Sequence, residues 1–383
     1  MTERAIIVGG GIAGATMAAL LAQAGHPVLL LERERNVRPK VCGEFLSHAA
    51  QAYLGRLGLD PLALGGSKIG SLRIGRGAEN VEATLPFTGL SLSRDVLDAA
   101  ILQLAIDTGA DVQRGRIVRD VTRGPAPALI MDDGHVLQAD TIFLASGKHD
   151  IRGLERPQPR GADLVGLKMH FRLTDRQAEM LDGQIVLFLF AGGYAGLTSL
   201  RDGAANLSLL IARNHFAAFD HDWNALMIGL RRQNELLDQY LSDAVPVFAK
   251  PAAIYRQPFG FLAARPDDGI FRLGDQMACV PSFSGDGMSV ALHSAFCAAD
   301  IYLRGGDAVA YHRSIRRDLL PQLIWGRAIG SLIRTSLGQR LLLRSMHALP
   351  SLLRLSMQHT RLNAPLSQRE SLVRMSGTSL LSS

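Results

Sequence analysis

Three glycines near the start of the chain have the spacing of a phosphate-binding turn. Gly9, Gly11 and Gly14 follow a short apolar run and precede residues 15–24, whose composition predicts a helix. Such glycines permit a tight bend, close approach of a pyrophosphate to the backbone, and close packing of the helix on the strand. A second apolar run ends at Glu32, eighteen residues after Gly14, where a carboxylate can bind a ribose hydroxyl. The pattern predicts a dinucleotide site.

A second glycine-rich stretch, late in the chain, has the properties of another binding turn. An apolar run ends at Gly274 and Asp275, and a loop that begins at Pro281 leads to a helix predicted over residues 287–303. The free amides and the dipole at the start of a helix favour an anion or a polarised ring. The start of this helix, at Gly287, is therefore a second candidate binding element.

The strands that position these turns recur early, in the middle and late in the chain, with another sheet inserted between them. Residues 164–173 alternate between apolar and polar, which indicates a strand with one covered face. Its polar face carries Lys168, His170 and Arg172, which either line a cavity over the bound ligand or face water, and we favour water. His293, on the late helix, is expected to be a structural histidine.

Composition narrows the class of protein. The chain has 383 residues, of which 47% are hydrophobic and 20% charged, as in ordinary globular proteins. No apolar run is long enough to span a membrane, and the chain enters its first predicted strand soon after Met1, so we expect a cytoplasmic protein. The three cysteines are far apart and predict neither disulfides nor a zinc site.

The positive charge is concentrated at the C-terminus. Residues 311–383 contain eleven arginines, no lysine and two acidic residues, a net charge of +9, whereas the remainder carries −3. Many leucines and isoleucines accompany the arginines, which predicts short helices broken at Gly330, Gly338 and Pro350. This asymmetry favours a membrane surface or a partner protein as an anionic contact for the tail, and it does not favour a nucleic acid. Helices that pack on the body with their arginines in water are an equal alternative.

Together, the two glycine stretches resemble those of the FAD-dependent oxidoreductases of the aromatic hydroxylase and geranylgeranyl reductase superfamily. The resemblance covers residues 1–310 and implies an α/β fold. Its parts would be a glutathione-reductase-like, FAD-binding Rossmann domain, an interleaved substrate-binding β-sheet of α+β type, and a helical C-terminal extension. The implied FAD-binding domain comprises residues 1–66, 93–160 and 269–310, the substrate domain residues 67–92 and 161–268, and the basic helical region residues 311–383.

The resemblance also implies roles for individual residues. Asp275 would bind the ribityl chain of FAD, and Arg94 would contact the cofactor. The loop from Pro281 through Gly285 would lie along the flavin, where the amides of Gly287 and Met288 stabilise negative charge. The residues assigned to FAD binding are Gly9, Gly11, Gly14, Glu32, Arg33, Arg94, Gly274, Asp275, Pro281, Gly285, Gly287 and Met288.

The segment Cys42-Gly43-Glu44 resembles the one that approaches the flavin in prenyl reductases. Gly43 would permit close approach, and Cys42 or Glu44 would face the ring or the substrate. Tyr194 matches the tyrosine of a prenyl reductase segment whose tryptophan and Pro-Lys are missing here, and the flavin halogenase signature is missing as well. Many hydroxylases have Asp-Gly where this chain has Ser146-Gly147, so NAD(P)H and another electron donor both remain open.

The reaction that these features favour is hydroxylation of an apolar or aromatic small molecule by an FAD-dependent monooxygenase, through a flavin hydroperoxide. Such chemistry needs a pocket that excludes water more than it needs a strong acid or base, and the sequence contains no obvious catalytic dyad. The first alternative is an FAD-dependent reductase of prenyl or polyene double bonds. The second is a flavoprotein that binds or modifies a partner protein through its arginine-rich tail.

Overall fold

The structure is a computed structural model that describes residues 4–122, 127–157, 163–264, 268–348 and 360–362. Its strands are β1 Ala5–Val8, β2 Val28–Glu32, β3 Phe45–Leu46, β4 Ser67–Arg76, β5 Glu79–Ser91, β6 Asp111–Arg114, β7 Val118–Thr122, β8 Ala128–Met131, β9 Val136–Gln138, β10 Thr141–Leu144, β11 Leu164–Arg172, β12 Gln184–Phe190, β13 Gly193–Ser199, β14 Ala204–Ala212, β15 Val245–Pro246, β16 Ala252–Tyr255, β17 Phe261–Leu262, β18 Phe271–Arg272 and β19 Ala278–Cys279. Its α-helices are α1 Ile12–Gln23, α2 His48–Arg56, α3 Arg94–Asp107, α4 Asp175–Leu181, α5 Arg213–Ala217, α6 Trp223–Gln233, α7 Glu235–Leu241, α8 Gly287–Leu303, α9 Ala308–Ile333 and α10 Ser336–Ala348.

The first apolar run is the central strand of a five-stranded parallel sheet. The strand order is β18-β10-β1-β2-β6, so the sheet combines the beginning, the middle and the late part of the chain. All four residues of β1 are buried, as expected for a strand covered on both faces. Helix α1 packs against α3 and α8 on one side of this sheet. The predicted α/β Rossmann fold is therefore confirmed.

Gly9 and Gly14 set the distance between β1 and α1. Gly9 has φ of +108°, and a Cβ atom there would lie 2.4 Å from the carbonyl oxygen of Ala145. A Cβ atom on Gly14 would lie 1.9 Å from the carbonyl oxygen of Gly9. Both positions therefore need glycine, for the reasons that their spacing suggested.

The inserted part of the chain forms a larger, mostly antiparallel sheet. Its order is β15-β11-β14-β13-β12-β4-β5-β3, and β16 also pairs with β11. On one face of β11, Leu167, Met169 and Phe171 join a core with the apolar sides of α6 and α7. The alternation read from the sequence correctly identifies this covered face.

The polar face of β11 is not uniformly exposed, contrary to expectation. Arg172 faces water, but the Lys168 side chain is only 1% exposed and that of His170 only 13%. The segment that contains Glu44 covers this face and accepts hydrogen bonds from both side chains. Sequence alternation identifies residues on one face of a strand but not what packs on that face, so the prediction was wrong for Lys168 and His170.

The C-terminal region begins with a long helix, α9, that the predicted breaks do not interrupt. Gly330 lies within α9 and Gly338 within α10; the break falls between the two helices. A glycine inside a helix costs about 1 kcal/mol relative to alanine, which packing can offset. Gly330 faces the ring of Phe283, 3.4 Å from where its Cβ atom would be. The predicted break at Pro350 lies outside the described residues.

No helix in the described ranges is both long and apolar enough to cross a bilayer.

Candidate active site

The first glycine turn and Glu32 form an open cradle at the carboxyl ends of β1 and β2. The Glu32 carboxylate accepts hydrogen bonds from the backbone amides of Gly10, at 2.6 Å, and of Glu34, at 2.8 Å. Its oxygens have further lone pairs for a ribose hydroxyl. The nearest atom to a Cβ on Gly11 would be Lys40 Nζ, 3.7 Å away, so backbone amides at the start of α1 are accessible to a phosphate. Arg33 pairs with Glu34 beside this cradle.

The late turn lies directly against the first helix. Gly274 has φ of +56°, and a Cβ atom there would be 3.2 Å from Cβ of Ala13. Its amide donates to Ser294 Oγ at 2.8 Å, and the Asp275 carbonyl accepts from buried Arg156 at 3.0 Å. The two glycine stretches, about 260 residues apart in sequence, therefore meet at one site, as a single ligand spanning both requires.

The loop between Pro281 and Met288 is anchored by the buried carboxylate of one of its own residues, Asp286. Asp286 accepts hydrogen bonds from Ser47 Oγ at 3.0 Å, Gln322 Nε2 at 2.7 Å and the amide of Leu362 at 2.8 Å. Gly285 has φ of +66° and lies against the ring of Phe45. No atom lies within 4 Å of a Cβ position on Gly287, so the start of α8 has room for a ligand. The side chain of Met288, the next residue, is buried.

Glu44 is the centre of a buried polar cluster. Its side chain has no exposed surface, and it accepts hydrogen bonds from Lys168 Nζ at 2.5 Å, His170 Nε2 at 2.8 Å and the amide of Arg94 at 2.8 Å. Burial raises the pKa of Glu44, but the hydrogen bond from His170 and the charge of Lys168 outweigh it and hold that pKa below its ordinary value. Glu44 is therefore ionised at neutral pH, and Nε2 of His170 donates to it.

Lys168 and His170 are functional candidates for which the sequence favoured a position in water. They lie 124 and 126 residues after Glu44, and no short motif joins them. The ring of His170 also packs against Phe248, with the ring centroids 5.0 Å apart. The available sequence signal was a lysine and a histidine two residues apart on an otherwise apolar strand.

Cys42 and Gly43 are fixed through their carbonyl groups. Asn206 Nδ2 donates to the Cys42 carbonyl at 3.0 Å, and Thr198 Oγ1 donates to the Gly43 carbonyl at 3.3 Å. Among the described residues other than its two neighbours, none has an atom within 4 Å of a Cβ position on Gly43, so this side of the backbone has room for a ligand. The side chain of Arg94 pairs with Asp98 at 2.8 Å. It is only 14% exposed, so it is largely buried in the protein.

Tyr194 contacts the predicted flavin loop. Its hydroxyl lies 2.5 Å from Ser282 Oγ, and its ring meets that of Phe283 edge to face. Burial raises the pKa of Tyr194, so the phenol stays protonated at neutral pH. His293 hydrogen-bonds to Tyr53 through Nδ1 and to Asp318 through Nε2, so both of its ring nitrogens have partners. Among the described residues, no cluster of side chains has the composition of a metal site.

Proteins with similar sequences include menaquinone reductases and digeranylgeranylglycerophospholipid reductases. A family profile described as "NAD(P)-binding Rossmann-like domain" matches residues 7–45. Menaquinone reductase of Mycolicibacterium smegmatis is 24% identical over 336 residues, covering 79% of this chain and 76% of that protein. Digeranylgeranylglycerophospholipid reductase 2 of Methanopyrus kandleri is 27% identical over 317 residues, covering 77% of this chain and 76% of that protein.

Solved structures of similar fold include flavin-dependent halogenases and a related Pseudomonas protein. The myxobacterial chondrochloren halogenase CndH superposes with a TM-score of 0.74 at 21% identity, covering 96% of this chain and 92% of its own. A variant of P. aeruginosa PqsL superposes with a TM-score of 0.72 at 20% identity, covering 90% of this chain and 99% of its own. Halogenase PltM in complex with phloroglucinol and FAD has a TM-score of 0.72 at 15% identity, over 94% of this chain and 85% of its own. These similarities and the joined glycine turns confirm the predicted fold and the predicted resemblance to FAD-dependent oxidoreductases, and one of the similar structures holds FAD.

Proposed function

We propose that this protein is an FAD-dependent reductase that saturates a carbon–carbon double bond in an apolar, prenyl-type small molecule. The observation that carries the proposal is the buried cluster of Glu44, Lys168 and His170 beside the open backbone of Gly43. The reductases of similar sequence act, by their names, on menaquinone and on a digeranylgeranyl phospholipid. Both names denote molecules with isoprenoid chains.

Double-bond reduction needs a proton as well as a hydride. When FAD is bound, its reduced form supplies the hydride to one carbon of the double bond. The protein must deliver a proton to the other carbon, where the two π electrons of the broken double bond form the second C–H bond. A positioned acid typically contributes about a 10²- to 10⁴-fold rate increase.

His170 is the residue that fits this role. Ionised Glu44 accepts from Nε2 and fixes the ring, so Nδ1 is the nitrogen from which a proton can leave towards the substrate. Lys168, paired with the other oxygen of Glu44, keeps the carboxylate charged and in place. The slight exposure of the His170 side chain provides a route for the ring to regain its proton from solvent.

Residues of the glycine turns fit the cofactor that this reaction requires. Glu32 would bind the ribose, the amides at the start of α1 the pyrophosphate, and Asp275 the ribityl chain. The open side of Gly43 and the amides of Gly287 and Met288 would face the flavin ring. Arg94 would act through its backbone amide, which orients Glu44, because its guanidinium is occupied by Asp98.

Hydroxylation is the second candidate function. It is favoured by the burial of Glu44, Lys168 and Asn206, because a pocket that excludes water protects oxygen-activating chemistry. The sequence contains no obvious acid–base dyad, which agrees with hydroxylation. The folded chain, however, brings Glu44 and His170 into hydrogen-bond contact. Reduction therefore becomes the preferred proposal.

The experiment separates the two reactions by their need for oxygen. The FAD-loaded protein is reduced with dithionite under nitrogen and mixed with menaquinone or a geranylgeranylated phospholipid. We expect flavin reoxidation and a product that has gained two hydrogens, both of them carbon-bound deuterium when the solvent is D₂O, because dithionite supplies only electrons and the hydrogens come from solvent. A product that forms only after oxygen is admitted, and contains an oxygen atom from it, would reject reduction.

A histidine variant tests the proposed acid. His170→Asn should slow reoxidation of the flavin by substrate about 10²-fold or more, while reduction of the flavin by dithionite is unchanged. His221→Asn is the matched control, because His221 is exposed and has φ of +55°, a backbone conformation that asparagine also adopts. Equal reoxidation rates in both variants would remove His170 from the mechanism.

A further inference from the structure

The outer face of the two C-terminal helices carries an unusual number of exposed apolar side chains. We define the α9–α10 outer face by Leu320, Ile324, Trp325, Leu332, Leu337 and Leu341, which are between 42% and 69% exposed. These six are among only fourteen large hydrophobic side chains that are exposed in the described parts of the chain. Scattered exposed leucines need no explanation, but six exposed apolar side chains on two consecutive helices are what a contact surface would present.

Helical spacing places these side chains on one stripe of α9. Leu320, Ile324 and Leu332 recur at multiples of four residues, with exposed Ala328 between them. The opposite side of the same helix, at Ile315, Leu319 and Leu323, is buried in the core of the parallel-sheet domain. Helix α9 is thus apolar on two opposite sides, and in the described parts of the chain the outer side leaves Leu320, Ile324 and Leu332 more than two-fifths exposed.

The charge around this face identifies the kind of partner. Between Leu319 and Ala348 the sequence has four arginines and no Asp, Glu or Lys. Arg340 and Arg344 are exposed on α10, and Arg313 and Arg317 are exposed on the first turns of α9. Arginines that surround apolar side chains and a tryptophan are typical of helices that lie in the interface of an anionic bilayer.

The inner side of α9 is in contact with the predicted flavin loop. A Cβ atom on Gly326 would lie 3.2 Å from the ring of Pro281, and Gln322 donates to Asp286 at 2.7 Å. The α9–α10 outer face is therefore separated from that loop by the thickness of one helix, about 10 Å. A bilayer on this face would lie close to the flavin loop.

We propose that the α9–α10 outer face docks the protein on the surface of an anionic lipid bilayer. Its apolar side chains enter the interface between headgroups and acyl chains, and its arginines bind the lipid phosphates. The proposal depends on surface composition alone and holds whichever reaction the flavin site performs.

Vesicle binding by the full-length, FAD-loaded protein tests the proposal. We expect co-sedimentation with vesicles of phosphatidylglycerol and phosphatidylcholine in equal parts, weakening as salt is raised, and little with phosphatidylcholine alone. The double variant Ile324→Ser/Trp325→Ser should lose at least about tenfold in affinity. Ile228→Ser/Val247→Ser is the matched control, because both side chains are about half exposed on the substrate domain.

A second pair of variants tests the charge. Arg340→Gln/Arg344→Gln should lower affinity for the mixed vesicles about thirtyfold, since each arginine near an anionic surface contributes about fivefold. Arg172→Gln/Arg176→Gln removes the same charge from exposed sites on the substrate domain and should have little effect. Equal losses in both pairs would mean that net charge alone drives binding, which would overturn the docking face.

Two further observations distinguish a bilayer from other occupants. In a Trp223→Phe background, Trp325 is the only tryptophan, and its emission should shift to shorter wavelengths when phosphatidylglycerol vesicles are added. A dimer that forms without lipid and dissociates in Ile324→Ser/Trp325→Ser would assign the face to a second copy of the chain. Unchanged vesicle binding by that variant would likewise overturn the proposal, provided that its flavin spectrum and melting temperature match the wild type.

Discussion

Glu44 combines an unfavourable backbone conformation with a buried charge. Its φ of +56° lies in the left-handed region, which costs a residue other than glycine or asparagine about 1 kcal/mol or more. Three hydrogen bonds to its carboxylate hold it there. Strain of this kind persists where surrounding contacts fix a residue, and in this chain two of those contacts come from strand β11 and the third from the start of helix α3.

The stability of the fold should depend on the ionisation of Glu44. Because its pKa is lowered in the folded protein, the ion pair stabilises the fold above a pH of about 4.5, the ordinary value, and this contribution is lost as pH falls through the lower, folded-state pKa. Urea unfolding between about pH 6 and pH 3 should show a smaller loss of unfolding free energy for Glu44→Gln than for the wild type.

A second variant keeps this test informative if Glu44→Gln folds poorly. Lys168→Met removes the charge that lowers the Glu44 pKa, so the acid-induced loss should move to higher pH. Identical pH profiles for wild type and Lys168→Met would contradict the assignment.

Gly43 offers a test of where the flavin lies. Since no protein atom is within 4 Å of its Cβ position, Gly43→Ala should leave the unfolding free energy of the flavin-free protein within about 0.5 kcal/mol of wild type. If the flavin approaches this backbone, the added methyl group should weaken FAD binding or turnover at least about tenfold. Gly9→Ala is the contrasting case, because its Cβ atom would clash within the protein and should destabilise the fold itself. Normal FAD binding and turnover in Gly43→Ala would place the flavin elsewhere.

At the level of elements, local patterns predicted some helices and strands well and others poorly. Helix α8 spans the predicted residues, because a glycine start and an uninterrupted apolar sequence are local signals. The breaks predicted at Gly330 and Gly338 did not occur, because a packed neighbour can compensate for a helical glycine and the sequence does not show that neighbour. For the same reason the cluster around Glu44 needed the fold: its members join through sheet pairing, not through spacing.

Helix α9 should control the position of the flavin loop. Gly326 is the closest approach of this helix to Pro281, so Gly326→Leu would push the loop outwards or bend the helix. Overpacking of this kind costs about 1–3 kcal/mol, and we expect FAD affinity, measured by fluorescence titration, to fall about tenfold or more. Ala328→Leu, on the exposed side of the same helix, should leave FAD affinity unchanged. An unchanged FAD affinity in Gly326→Leu would show that α9 does not control the position of the flavin loop.

For the whole molecule, the basic C-terminal region cannot be treated as an appendage. The charge asymmetry in the sequence marked residues 311–383 as a basic region distinct from the body, but its first helix completes the core of the parallel-sheet domain. Tyr311, Ile315 and Leu319 have no exposed surface, and the Tyr311 hydroxyl donates to the carbonyl of Arg272 in β18. Charge counts identify where a surface is basic, whereas burial determines whether a segment can be spared.

A chain that ends at Gly306 should therefore fail to fold. It would lose the burial of Tyr311, Ile315, Leu319 and Leu323, each worth about 1.5–3 kcal/mol, and their combined loss is comparable to the whole unfolding free energy of a typical protein, about 5–15 kcal/mol. Circular dichroism and flavin absorbance should show loss of cooperative unfolding and of bound FAD. The full-length Ile324→Ser/Trp325→Ser variant should retain both, because its substitutions face outwards. A truncated chain that folds and binds FAD would show instead that α9 is dispensable, and deletion would then separate docking from chemistry. If the truncated chain does not fold, only surface substitutions can test membrane docking independently of the flavin chemistry.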